Sequence, residues 1–184
     1  MASPINCLSI LVIPLLVTSL FYQVSVGQKL TDDYLSSLCQ KTSDPNFCFS
    51  TLKADPRTFL PLGDFNHLGF VSLAIVMDTV QVEVDEIPYI LRKIGDRVDR
   101  VRMENCQYDY NNALQMSRDA DTAAGEKNYN RAKSLIINAA NGLAACDNSY
   151  KEPPARTSLI ADALTKVLKK CNIVVVVFNT ITGT

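Results

Sequence analysis

The chain has 184 residues, a formal net charge of -1 and one histidine, so it lacks the basic surplus that holds a nucleic-acid backbone and has little imidazole chemistry. A hydrophobic fraction of 47% against 20% charged residues excludes a disordered chain. Seven Gly and eight Pro over this length favour long helices over many short strands, and the absence of Trp removes a common sugar-stacking side chain.

No charged side chain precedes Lys29, and Leu8 to Tyr22 form an apolar run interrupted by Pro14. Ser25-Val26-Gly27 then places small residues at the positions a signal peptidase reads. The run is shorter than the ~20 residues of a membrane span, and Pro14 sits inside it. The expectation is a secretory signal over residues 1–27, a mature chain from about Gln28, an extracellular location and no membrane association after cleavage.

Secretion sets how the six cysteines read. Cys7 leaves with the leader, and Cys39, Cys48, Cys106, Cys146 and Cys171 remain. In an oxidising compartment five cysteines predict two bridges and one leftover thiol. Zinc spacing is absent and His67 lies near no Cys, so no metal and no cofactor are expected. No N-x-S/T sequon occurs.

Thr31-Asp32-Asp33 ahead of Tyr34, Leu35 and Leu38 reads as a helix cap with an acidic first turn, and Cys39 closes that helix. Asp44-Pro45 and Asp55-Pro56 each repeat a cap followed by Pro at the first helical position. Residues 28–62 therefore form a short helical hairpin extension, and 63–184 a bundle. Gly63-Asp64 opens the first long helix, with Leu68, Val71, Ile75, Val82 and Ile87 as its stripe and a kink or break expected at Pro88.

After Gly95-Asp96 the second helix carries Met103, Cys106, Tyr110, Ala113, Ser117 and Ala120 at spacings of 3 and 4, as far as Gly125. The third carries Tyr129, Ala132, Ile136, Ala139, Leu143, Cys146 and Tyr150, up to Pro153-Pro154. The fourth carries Ile160, Leu164, Val167, Cys171, Val174 and Phe178. These are helix seams. Ile173 to Phe178 has strand propensity, but no second strand-like run exists to pair with it. The fold class is all-α, an up-down-up-down four-helix bundle with an N-terminal disulfide-linked hairpin.

Cys106 lies 19 residues before Gly125 and Cys146 21 residues after it, both on seams. An antiparallel pair turning there brings the two thiols together. Cys39 and Cys48 are likewise symmetric about Ser43-Asp44. The pairing is Cys39–Cys48 and Cys106–Cys146, with Cys171 a free thiol in the core.

Catalytic signatures are missing: no G-x-S-x-G, H-E-x-x-H, Walker loop or C-x-x-C. His67 sits at a helix start. Asp78, Glu83, Asp85 and Glu86 crowd one helix too closely to bracket a sugar, and read as a solvated acidic face. Arg92, Lys93, Arg97, Arg100 and Arg102 are diluted by Asp96, Asp99 and Glu104, and read as surface around the first bundle turn. A binding protein, not an enzyme, is the expectation.

Cys39-Gln-Lys-Thr42-Ser-Asp-Pro45-Asn-Phe-Cys48 resembles the C-x2-T-x2-P-x2-C hairpin of plant invertase and pectin methylesterase inhibitors. Leu52-Lys-Ala-Asp55-Pro56-Arg57, Cys106-x3-Tyr110-x2-Ala113 and Ala139-Ala140 to Cys146-Asp147 are similar to later segments of that family, although Ser117 replaces a usual Leu. The resemblance covers residues 30–184 and implies a four-helix bundle with the same two bridges. Cys171-Asn-Ile173 to Phe178-Asn179, with its fifth unpaired Cys, and Glu152-Pro153-Pro154 resemble the methylesterase branch. Glu126-Lys127-Asn128-Tyr129 stands where invertase inhibitors often carry Pro-Lys-Phe.

The resemblance implies a monomeric inhibitor that covers the pectin-binding cleft of pectin methylesterase in a 1:1 complex. Acid invertase is the alternative target. An interaction or small-ligand-binding bundle without an enzyme target is the alternative of another class. The second and third bundle helices are the implied contact surface. Their positions off the seam include Asp109, Asn112, Gln115 and Asp119, then Lys133, Ile137 and Asn141. Ile137 is the expected apolar anchor, with Asp109, Asp119 and Lys133 as charge partners.

Overall fold

The computed structural model of the protein describes residues 30–60 and 64–183; the expected leader, with Cys7 and the expected cleavage site, lies outside these residues. The described elements are α1 (Asp32–Cys39), α2 (Pro45–Ala54), a 3-10 turn (Pro56–Phe59), α3 (Phe65–Lys93), α4 (Arg97–Gly125), α5 (Tyr129–Lys151) and α6 (Ala161–Thr182). Most helices start where a short polar side chain captures a free backbone N–H. Thr31 accepts from Tyr34 N, Asp44 from Phe47 N, Asp64 from His67 N, Asp96 from Val98 N and Asp99 N, and Asn128 from Arg131 N. Each such cap is worth about 1 kcal/mol.

The long helices α3 to α6 close a ring in which each packs on its two neighbours, and α1 and α2 lie against α6. Met103, Cys106, Tyr110, Ile136, Leu143, Val167, Val174 and Phe178 fill the centre at near-zero exposure. A second cluster joins Leu35, Leu38, Leu52, Leu68, Val71, Ile75, Ile173, Val176 and Val177 under the hairpin. Helix α6 is therefore apolar on opposite sides, one facing the bundle core and the other the hairpin. That double burial keeps Ile173 to Phe178 helical against its strand propensity. By length and composition α3 alone among the described helices could cross a membrane, but its apolar residues also serve these two clusters.

Two local expectations are corrected. Val82 is 56% exposed, and Val80 is buried in its place, because the stripe of α3 shifts as it passes from the hairpin to the bundle. Pro88 neither ends nor divides α3. Val84, Ile87, Ile90, Leu91 and Ile94 pack into the core on both sides of it, and this outweighs the ~3 kcal/mol cost of an interior proline. Helix α4 ends at Gly125 as expected, and the turn after it uses Lys127, at φ 59, as its left-handed residue.

At Gly69 the helices α3 and α6 approach closely. A methyl group there would stand 3.1 Å from Phe178 Cε1 and 3.2 Å from Ile181 Cδ1. The disulfides are Cys39–Cys48, with Cα atoms 5.5 Å apart, and Cys106–Cys146, at 4.9 Å. The first staples α1 to α2 and the second α4 to α5.

Candidate functional site

Three features that sequence alone leaves open as chemistry are structural. His67 Nε2 lies 2.7 Å from the carbonyl oxygen of Arg57, tying the 3-10 turn to the start of α3. Arg102 is buried, and its guanidinium donates to the carbonyls of Pro154 (3.0 Å) and Glu152 (2.8 Å), so it belongs to a loop clamp and not to the surface. Arg100 donates to the Ile94 carbonyl at 2.6 Å. Backbone carbonyls thus consume part of the basic stretch.

The acidic run is dispersed as well. Asp78 pairs with Arg57 at 2.9 Å, and Asp85 accepts from Gln81 Nε2 at 3.0 Å. Glu83 lies half-buried in a cleft of about 490 Å3 between α3 and α6, where burial and then the charge of Glu86 raise its pKa. Among the described residues no group of three or more His, Cys, Asp or Glu is placed to hold a metal. Cys171 is free and buried, and burial pushes its thiol pKa up to about 12, far from a reactive thiolate.

The seven positions expected on the partner face divide by helix geometry. Arg118 of α4 donates to Gln81 of α3, which fixes one flank of α4, while Arg102 reaches the loop after α5 and fixes the other. With 3.6 residues per turn, Gln115 then points outward, and Asn112 and Asp119 point outward on the side of α5. Asp109 borders the α4–α5 groove, where burial raises its pKa. Asn141 is exposed on the outer side of α5. Lys133 turns away from this face, because its Nζ donates to Asn179 Oδ1 on α6 at 2.9 Å. Ile137 is 40% exposed and leans to the same α6 side.

Two residues absent from the sequence reading share the outer side of α4. Tyr108 is 68% exposed and Val101, one heptad earlier, is 48% exposed. Around them lies a band of amides: Asn105, Asn112 and Gln115 on α4, then Asn138 and Asn141 on α5. The signal for Tyr108 was available, since it stands off the seam by as much as Gln115. The amides lie where antiparallel α4 and α5 run side by side, joined by the Cys106–Cys146 bridge, with Asp109 and Asp119 beside them.

Comparison with known proteins places this geometry. A plant invertase/pectin methylesterase inhibitor family model matches residues 33–176. A pectinesterase inhibitor of Actinidia deliciosa is 26% identical over 175 residues, covering 95% of this chain and 92% of that protein. The crystal structure of mutant form A of a pectin methylesterase inhibitor from Arabidopsis superimposes with a TM-score of 0.69 at 18% identity, covering 79% of this chain and 95% of that one. A second, a pectin methylesterase inhibitor from Arabidopsis thaliana, gives 0.60 at 17% identity, covering 82% and 97%. At these identities the two structures speak for the fold. With the family model matched across both disulfides and all four bundle helices, the chain belongs to the plant invertase/pectin methylesterase inhibitor family.

Proposed function

We propose that the protein is a secreted inhibitor of pectin methylesterase that acts by covering the enzyme's pectin-binding cleft as one inhibitor per enzyme. Residues 1–27 serve as the export signal, and the protein works in the cell wall space. No side chain reacts. Inhibition comes from surface area buried on the enzyme, with affinity concentrated in a few anchors.

The observation that supports this most is Tyr108, a large, well-exposed aromatic in a band of amides on the outer face of α4. Interface centres are depleted in charge and enriched in Tyr, with polar groups around them, and this face has that composition. Val101 extends the apolar anchor along α4. Asn112, Gln115 and Asn141 supply hydrogen bonds, and Asp109 and Asp119 a negative rim. Ile137 lies at the α6 edge of this surface, and Lys133 supports α5 from inside it.

Methylesterase is favoured over acid invertase by the similarity to the Actinidia pectinesterase inhibitor and by the Cys171 to Asn179 segment. Purified protein assayed side by side against pectin methylesterase and acid invertase tests the choice. Inhibition of the esterase alone is expected. Inhibition of invertase alone would transfer the same face to the other target.

A further inference from the structure

A groove of about 420 Å3 runs between the hairpin and the bundle, walled by α2 and the 3-10 turn on one side and by α3 and α6 on the other. Small-molecule sites span about 300–1,000 Å3 and concentrate at such junctions. Phe47 and Ile75 line it with apolar surface, Thr51 and Thr79 with hydroxyls, and Lys166 and Lys170, one turn apart on α6, with ammonium groups.

The charges in this groove are unequally matched. Asp55 and Asp78 are both engaged by Arg57, at 2.7 and 2.9 Å. Lys170 Nζ donates to Thr79 Oγ1 at 2.6 Å, while its neighbour Lys169 is the one that pairs with Asp44, at 2.8 Å. Among the described residues neither Lys166 nor Lys170 has a carboxylate within ion-pair distance. Glu83 lies along α3 in the adjoining cleft and attracts Lys166 from there, while burial and then the charge of Glu86 raise its own pKa. Burial and the charge of Lys166 lower the pKa of Lys170, with Asp78 opposing weakly. Like charges one turn apart destabilise a helix, so an anion seated between the two ammonium groups relieves a repulsion that Asp78 and Glu83 offset only in part.

We propose that this groove binds the free carboxylate of an acidic saccharide. Lys166 and Lys170 hold the carboxylate, Thr51 and Thr79 meet sugar hydroxyls, and Phe47 and Ile75 lie under a C–H face of the ring. The choice of a uronate rests on the inhibitor reading. Hydrolysis of a pectin methyl ester leaves a carboxylate on a sugar ring, so the ligand is the product class of the partner's reaction. The groove is separate from the outer α4–α5 face, so one molecule can hold de-esterified polymer and enzyme together.

The test titrates the purified chain with trigalacturonate and with its fully methyl-esterified form, following amide shifts by NMR at low and high salt. The acid form is expected to shift Thr79, Lys166 and Lys170 and to weaken with salt, and the ester to bind at least tenfold more weakly. Lys166→Gln/Lys170→Gln should lose at least tenfold, and Lys170→Arg should retain binding. Should the double variant fail to fold, Lys166→Gln alone, at an exposed position, carries the comparison and should weaken binding. Equal binding of acid and ester, no binding at all, or a folded Lys166→Gln variant that binds as the parent does would overturn the proposal. The titration contains no enzyme, so it can fail while inhibition stands, and loss of inhibition in Tyr108→Ala with saccharide binding intact would count against the docking face alone.

Discussion

Lys133 Nζ on α5 donates to Asn179 Oδ1 on α6 at 2.9 Å, which turns the one basic residue expected on the partner face into a strut between two bundle helices. Lys133→Ala should therefore lower stability by about 0.5–1.5 kcal/mol, the net worth of one partly exposed hydrogen bond. Urea denaturation reads that loss, and an inhibition assay at matched folded fraction should show no change. Weakened inhibition at unchanged stability would return Lys133 to the partner face.

The two bridges and the buried thiol make a chemical prediction. Cys171 should resist alkylation in the native protein and react once per chain after denaturation, because burial holds its thiol pKa near 12. Cys106→Ala should cost about 2–5 kcal/mol, as removal of a native bridge from a small domain does. Thiol counting by mass, native and then denatured, checks both the pairing and the burial.

Asp109 gives a pH signature of known sign. Burial raises its folded pKa above the ordinary carboxylate value, so the stability it contributes is complete below about pH 4 and is lost as pH rises through the folded pKa. Asp109→Asn should thus melt higher than the parent near pH 7 and equal to it at acid pH. Asp44, Asp55, Asp64 and Asp96 have the opposite sign: their hydrogen bonds to lysine, arginine or backbone N–H lower their pKa values. Their contribution is present above about pH 4 and is lost as pH falls through the folded values, in both proteins alike. Melting temperatures across this range decide it, and a variant less stable at pH 7 would contradict the sign.

Gly69→Ala sets two effects against each other. Alanine is favoured over glycine inside a helix by about 1 kcal/mol. The added methyl would meet Phe178 and Ile181 at 3.1 and 3.2 Å, and Phe178 is fully buried, so overpacking of about 1–3 kcal/mol opposes the gain. The expected outcome is a net loss of about 1 kcal/mol, read from the denaturation midpoint. A more stable variant would mean that the Phe178 ring has room to move.

The helices were legible from local signals: Thr31, Asp44 and Asp64 at three of the starts, and 3-and-4 spacing along the seams. The second role of α6 was not. Ile173, Val176 and Val177 look like surplus hydrophobicity until the hairpin is seen to cover them. Val82 was misplaced for the same reason, since a seam read from spacing assumes one partner and α3 has two. The proposed docking face needed the neighbours of each helix to be known. Spacing separates seam from surface, but it cannot say which flank of α5 meets α6, and that flank is where Lys133 and Ile137 lie.

The most direct measurement is the inhibition constant of Tyr108→Ala against purified pectin methylesterase, beside the parent protein and Ile137→Asp, with melting temperatures recorded for all three. The account predicts esterase inhibition by the parent and at least tenfold weaker inhibition by Tyr108→Ala, about 1.4 kcal/mol, at an unchanged melting temperature, with a smaller effect from Ile137→Asp. A folded Tyr108→Ala that inhibits as strongly as the parent, while Ile137→Asp loses inhibition, would move the docking surface to the α5–α6 side and contradict it.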